Sequence, residues 1–282
     1  MKRFVEDYPE FRKLSGNVSK HVTLVGELSR RVGGDNLLDV SELEQSIACS
    51  DNHTADLRTL QQAIDNPDVP EANKLRLVAI YGLRYGNNNT NALPMLLDLL
   101  GASTTLSTTD ISLISKLLAF ARSLSSGGNA ANAAAPTPDL FSQPTAILSA
   151  TRTRIQKGLK GVENVYTQHS PVLMATLESL IRGKLPITQY PVLDNASAPR
   201  DKPQDIIVFM VGGATYEEAK VVAQINASTP GIRVVLGGTS MVNSEGLFNE
   251  VSGALESWPE LSRALEKSQG AKARLGREIG KT

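Results

Sequence analysis

The chain has 282 residues, 41% of them hydrophobic, which is enough for one large or two ordinary domains with a sizeable core. Its 29 Lys and Arg balance 29 Asp and Glu, so no global attraction to nucleic acid or anionic membrane is expected. The single cysteine, Cys49, excludes an intrachain disulfide and a cysteine-rich metal site. The longest apolar run, Ile206–Val211, is far shorter than the ~18 residues of a membrane helix, and a cytoplasmic protein is expected.

The first 33 residues are predicted to form a helix with a break near Pro9, and Gly33-Gly34 are predicted to end it. Apolar residues recur along it with the seven-residue spacing of a coiled-coil seam. They are Phe4, Phe11, Val18, Val25 and Val32, with Leu14, His21 and Leu28 three positions further on. Such a seam packs either against the protein's own helices or against a heptad-repeat helix of a partner. The sequence leaves both alternatives open.

The following residues are predicted to form a helical bundle. A first helix is expected near 37–48, with Ser41 and Glu44 spaced as a capping box near its start. Further helical patterns occupy residues 55–65, 70–83, 93–100, 110–124 and 172–182. Residues 125–137 lack large apolar side chains, so this segment is predicted to be a disordered loop.

Two apolar runs, Ile206–Val211 and Ile232–Leu236, each precede a glycine pair and a helical pattern. This order predicts a βαβα unit whose parallel strands are covered on both faces. Two strands alone do not make a stable sheet of this kind, because about three or more are usually needed. Further strands therefore lie unrecognised within 184–191, or they belong to a segment that this chain lacks.

No catalytic, cofactor-binding or metal-binding site is predicted. Gly212-Gly213 and Gly237-Gly238 lack the G-x-G-x-x-G spacing of a dinucleotide-binding turn. Gly280-Lys281-Thr282 lacks the first glycine and the preceding strand of a P-loop. The three histidines are far apart and have no metal-ligand spacing. A small-ligand α/β enzyme built on the βαβα unit is kept as the alternative function, and stabilisation by a ligand would reveal it.

Several segments resemble the SM (Sec-one/Munc-eighteen-like) family of SNARE regulators, in order over nearly the whole chain. The opening helix resembles the second helix of that family's domain 3a hairpin, and residues 205–239 resemble its closing strands and helix. The matching segments are residues 4–13, 19–22, 42–45, 158–169, 205–209, 212–219 and 235–239. Of these, GLKGVENVYTQH at 158–169 is the most specific.

The resemblance implies an arch-shaped protein of three domains, of which this chain has the C-terminal half. Residues 1–49 would be part of the domain 3a hairpin arm, residues 50–190 the helical bundle of domain 3b, and residues 191–282 a partial domain 2. The expected fold is therefore mixed and mainly α: a helical domain followed by a partial parallel-sheet segment. The N-terminal domain, the first half of domain 2 and the first hairpin arm would be missing.

The resemblance also implies a non-enzymatic protein of vesicle-mediated transport, cytoplasmic and peripheral at Golgi, endosomal or vacuolar membranes. Its partners would be syntaxin-type and other SNARE helices, without cofactor or nucleic acid, and it would reach membranes through SNAREs only. Pro9 would act as a bend that sets how much of the binding face is available. By this resemblance the family's matching positions include Phe11 and Val22. The predicted SNARE-binding face consists of Phe4, Pro9, Phe11, Leu14, Val18, Val22 and Val25.

Overall fold

The computed structural model describes residues 2–50, 52–86, 91–126, 165–166, 168–187, 190–192 and 203–257, with side chains within 12–121 and 165–254. The chain divides into two compact units, residues 1–111 and 112–282. The helices are α1 Lys2–Gly34, α2 Leu37–Cys49, α3 His53–Asp65, α4 Glu71–Tyr85, α5 Leu93–Ser103, α6 Thr108–Ser126, α7 Val172–Ile181, α8 Tyr216–Ser228 and α9 Ser244–Ser257. The strands are β1 Asp205–Met210 and β2 Arg233–Gly238.

Helix α1 is one uninterrupted helix, so the break expected at Pro9 is absent from the backbone. A proline removes one backbone hydrogen bond, and the helical residues on both sides continue α1 across that position. The glycine pair does end the helix, as predicted, because α1 stops at Gly34. A short turn follows, in which Asn36 has a φ of 50° and leads directly into α2.

The capping box expected at Ser41 and Glu44 is wrong. The residue that precedes α2 is Asn36, and Ser41 lies inside the helix. Glu44 instead accepts a hydrogen bond from Nε of Arg76 on α4 at 2.5 Å. The spacing of a capping box therefore occurs here in a helix interior, where its carboxylate joins two helices rather than capping one.

The core of the first unit lies among α2, α3, α4 and α5. Each of these helices has apolar side chains at helical spacing, which form a buried face; α3 and α4 pack against each other and against both α2 and α5. Its fully buried side chains include Ile47, Leu60, Ile64, Leu77, Val78, Tyr81, Leu96 and Leu100. The predicted bundle helices are thus present, with bounds within a few residues of those expected.

The second unit contains a parallel pair of strands, in which Ile206 lies opposite Val234 and Val208 opposite Leu236. One face of this pair packs against α7 and α8, whose shared core includes Leu173, Met174, Leu177, Val221, Val222 and Ile225. Helix α7 therefore packs with the strands, although the sequence placed residues 50–190 together in one bundle. The division of the chain into three parts at residues 49 and 190 stays a prediction.

The opposite face of the strand pair is exposed within the described part of the chain. Ile207 is 82% exposed, Val211 directly after β1 is 87% exposed, and Phe209 and Val235 are also largely exposed. Strand side chains alternate between the two faces, and among the described residues a covering layer is present on one of them. The described residues contain two strands and none within the described part of 184–191. Helix α6 extends into the predicted loop 125–137, most of which lies outside the described residues.

Candidate partner-binding surface

Four apolar side chains form a continuous apolar stripe on α1: Leu14, Val18, Val22 and Val25. An α-helix turns by about 100° per residue, so these positions fall within an arc of about 80°. Their exposed fractions are 65%, 56%, 67% and 61%. No described part of the chain covers the stripe, so packing against the protein's own helices does not account for it there.

The remaining predicted site residues lie in the first turns of α1, where the backbone alone is described. By helical register, Phe4 and Phe11 fall on the same side as Val18. Pro9 falls on the opposite side, because nine residues correspond to two and a half turns. The structure therefore places six of the seven positions on one side of the helix and separates Pro9 from them, and the role of Pro9 in binding stays a prediction.

Two further leucines extend the exposed apolar surface of α1. Leu28, a member of the predicted seam, is 62% exposed, and Leu24 is 58% exposed. Leu24 lies about 120° from Val18, so the seven-residue spacing did not identify it. A search for exposed apolar residues at any helical spacing would have identified it.

Within residues 12–34, the charged residues of this helix lie away from the stripe. The carboxylate of Glu27 accepts hydrogen bonds from Arg30 at 2.7 Å and from Arg31 at 2.9 Å. These guanidinium groups, Arg30 first, lower the pKa of Glu27 to about 2, and Glu27 in turn raises the pKa of Arg30. Glu27 lies on the side of α1 opposite Val18. The stripe itself therefore presents only apolar side chains, which suit the seam of another helix.

The glycine turns of the βαβα unit have structural roles that leave little room for a bound phosphate. The first turn of α8 is a capping box, in which Glu218 accepts from the Thr215 amide at 2.8 Å and Thr215 Oγ1 accepts from the Glu218 amide. Gly213 has a φ of 107°, and a Cβ there would meet Val242 and Ser240. These glycines are thus explained by tight turns, and the alternative of a small-ligand enzyme is not supported.

A groove of about 460 Å³, lined by both polar and apolar residues, lies between α2 and α3. Its buried carboxylate, Asp56, already accepts hydrogen bonds from Ser46 at 2.6 Å and from Tyr85 at 2.8 Å. Among the described residues, no group of three or more His, Cys, Asp or Glu side chains is placed to hold a metal ion. Within the same residues, every helix is too short or too polar to cross a membrane.

The comparisons with known proteins agree with the fold. The family model described as the Sec1 family matches residues 1–250, so the chain belongs to the Sec1 family. This confirms the resemblance to SM proteins found in the sequence, together with the mainly helical fold and its small parallel sheet.

The relatives it resembles carry the name vacuolar protein sorting-associated protein 45. The rat protein (Rattus norvegicus) is 46% identical over 271 residues, which cover 95% of this chain and 45% of the relative. The human protein is 47% identical over 252 residues, covering 89% and 42%. A solved structure of the SM protein Vps45 in complex with the Qa SNARE Tlg2 matches with a TM-score of 0.78 and 56% identity, covering 92% of this chain and 43% of that one. The chain spans less than half the length of these relatives.

Proposed function

We propose that this chain is part of an SM-type SNARE-binding protein that aligns syntaxin-type and other SNARE helices for membrane fusion. The observation that carries the proposal is the exposed apolar stripe on α1. The relatives support it, because one of them is an SM protein in complex with a Qa SNARE. The function is non-enzymatic, since alignment of helices requires no bond-making step.

The stripe binds a partner by the packing rules of coiled coils. An apolar seam on the partner inserts its side chains between those of α1, and both seams leave water. Full burial of a Val or Leu side chain stabilises by about 1.5–3 kcal/mol, and the stripe residues are still more than half exposed. Four such side chains along one face also fix the register of the bound helix, because a shift places polar residues against the stripe.

The expected subcellular location follows from the same proposal. A protein that aligns SNARE helices works at the cytoplasmic side of membranes that carry SNAREs. We place it at Golgi, endosomal or vacuolar membranes, in agreement with the vacuolar sorting role in the name of its relatives. In this proposal residues 1–49 form the hairpin arm, residues 50–190 the helical domain, and residues 191–282 the closing segment of the α/β domain.

The proposal is tested by placing a charge in the stripe. Val22→Asp should weaken binding of a labelled syntaxin-type SNARE helix at least tenfold, because docking would bury a carboxylate without a partner. Thr23→Asp, about 140° from Val18, is the matched control and should bind within twofold of the unchanged chain. Fluorescence anisotropy measures Kd, and circular dichroism verifies that both variants stay helical. Equal affinity of the Val22→Asp variant, or no binding of any SNARE helix by the unchanged chain, would contradict the proposal.

A further inference from the structure

Helix α1 also has a basic face, formed by Arg12, Lys13, Lys20, Arg30 and Arg31, all of which are exposed. With about 100° per residue, these side chains lie about 120–160° from Val18, on the side away from the apolar stripe. They extend over about 28 Å of helix. The two faces are therefore separate surfaces on one rod, and each can be occupied while the other is in use.

Helix α1 carries a net charge of +3, and three of its four acidic residues, Glu6, Asp7 and Glu10, precede this face. Residues 12–34 contain these five cations and a single acidic residue, Glu27, which gives a net charge of +4 on a chain whose total is zero. Glu27 is bound by Arg30 and Arg31, and Asp35 lies close to Arg30 just beyond the helix. Arg12, Lys13 and Lys20 are thus the cations of this face that lie furthest along the chain from Glu27.

We propose that the basic face of α1 docks onto the anionic headgroups of a phospholipid membrane. Clusters of about four to eight Lys and Arg on a helix bind anionic lipid by electrostatic attraction. The five cations occupy an arc of about 100° on one side of the helix, and a flat anionic surface can face that whole arc, whereas an acidic partner helix would need carboxylates at matching positions. The apolar stripe points away from such a surface, so the contact is electrostatic and no side chain has to enter the acyl chains.

This inference rests on the proposed function and adds a direct membrane contact to association through SNAREs. With the basic face on the bilayer, the stripe faces the space in which a SNARE helix lies. Each cation near an anionic surface contributes about fivefold to membrane partitioning, and the attraction falls over a Debye length of about 8 Å at physiological salt. Binding should therefore weaken steeply as salt is raised.

The experiment measures co-sedimentation of the full chain with vesicles of phosphatidylcholine containing 30% phosphatidylserine (about one lipid in three), against phosphatidylcholine alone. The chain should bind the anionic vesicles and lose at least tenfold in affinity between 50 and 300 mM salt (roughly six times the ionic strength). Lys13→Glu with Lys20→Glu should reduce binding more than about 25-fold, since two attractions are lost and two repulsions gained. Glu27→Gln should increase it, because Arg30 and Arg31 lose their carboxylate.

Val22→Asp separates the two surfaces and is assayed in parallel. It should keep vesicle binding while losing the SNARE helix, and the double lysine variant should do the reverse. Equal binding to neutral vesicles, or unchanged vesicle binding by the double lysine variant, overturns the membrane contact and leaves the proposed function intact. If the double lysine variant loses the SNARE helix and still binds vesicles as before, the membrane contact is overturned, and the basic face binds an acidic protein partner instead.

Discussion

Asp56 is a carboxylate held inside the first unit, with 2% of its surface exposed. Burial of a charged group is costly unless hydrogen bonds replace its water. Ser46 on α2 and Tyr85 on α4 supply those bonds, so one side chain of α3 ties together three helices. His53, one turn earlier on α3, packs edge-on against the Tyr85 ring with 4.7 Å between ring centroids. This network fixes how the helices that follow α1 pack together.

Removal of the Tyr85 hydroxyl should destabilise the first unit. Tyr85→Phe leaves Asp56 buried with one partner fewer, and hydrogen bonds to charged groups contribute about 1.5–3 kcal/mol. Unfolding in urea should show a loss of that size in the free energy of unfolding. Tyr216→Phe is the control, because Tyr216 is 79% exposed and its hydroxyl has water as an alternative partner. A Tyr85→Phe variant as stable as the unchanged chain would show that the network does not support the fold.

The same tyrosine predicts a pH dependence in the alkaline range. Burial, and then the hydrogen bond to Asp56, raise the pKa of Tyr85 to about 12 from its ordinary value near 10. A raised folded-state pKa gives stability that is fully present below pH 10 and is lost as the pH rises from about 10 to about 12. Absorbance of tyrosinate should show one group titrating near pH 12, and Tyr85→Phe should remove it. If all tyrosines ionised near pH 10, the burial of this hydroxyl would be wrong.

Among the elements, α8 and β2 are joined by one amide side chain. Asn226 donates from Nδ2 to the carbonyl of Val234 at 2.9 Å, and its Oδ1 accepts from the Val234 amide at 2.8 Å. The backbone amide of the neighbouring residue, Arg233, donates instead to the carbonyl of Gln204, just before β1. Backbone groups of successive strand residues point to opposite edges, so Asn226 occupies the outer edge of β2. It leaves less of that edge for another strand to pair with.

Substitution of Asn226 tests this clamp. Asn226→Ala should lower the free energy of unfolding by about 1–2 kcal/mol, because two hydrogen bonds to the backbone are lost. Asn226→Asp keeps the acceptor and loses the donor, so its effect should be intermediate. Gln224→Ala, an exposed position on the same helix, serves as the control for helix propensity. Hydrogen exchange of the Val234 amide should accelerate in Asn226→Ala, and unchanged exchange would contradict the clamp.

The elements that sequence patterns predicted are those with strong local signals. Periodic apolar residues and Gly or Pro boundaries located the helices, and the two apolar runs located both strands. Local signals failed where the role or the burial of a residue depends on residues far away in the chain. The Ser41 and Glu44 spacing was mistaken for a cap, although Glu44 binds Arg76 across two helices. The packing of α7 against the strands and the burial of Asp56 were equally invisible, because each depends on partners far away in the chain.

The candidate site was predictable only in part. The seven-residue spacing gave the line of apolar positions, and helical periodicity is a property that sequence shows directly. Whether those residues are exposed depends on the rest of the fold. The sequence alone therefore left open whether they pack against the protein's own helices or against a partner. The structure shows the described part of the stripe exposed, whereas Pro9, taken from the family resemblance, falls on the other side of α1.

Among the described residues, each unit exposes an apolar surface: the stripe on α1 in the first, and in the second the open sheet face of Ile207, Phe209 and Val235 with Val211 directly after β1. The two surfaces differ in the secondary structure that presents them. The stripe is narrow and lies on a single helix, which suits a rod-like partner. The open sheet face lies on strands, and exposed apolar strands favour association with further chain. The relatives, which are more than twice as long, have additional polypeptide available to cover such a face.

The open sheet face should therefore make the 282-residue chain self-associate when no other polypeptide covers it. Ile207→Lys with Val211→Lys should shift the chain towards monomer in size-exclusion chromatography with light scattering, because both side chains are more than four-fifths exposed and no core contact is lost. Leu38→Lys, at an isolated exposed leucine on α2, is the matched control and should leave the association unchanged. If the unchanged chain is monomeric at every concentration, the face is too small to drive association. If Leu38→Lys has the same effect as the double variant, added charge alone explains the shift.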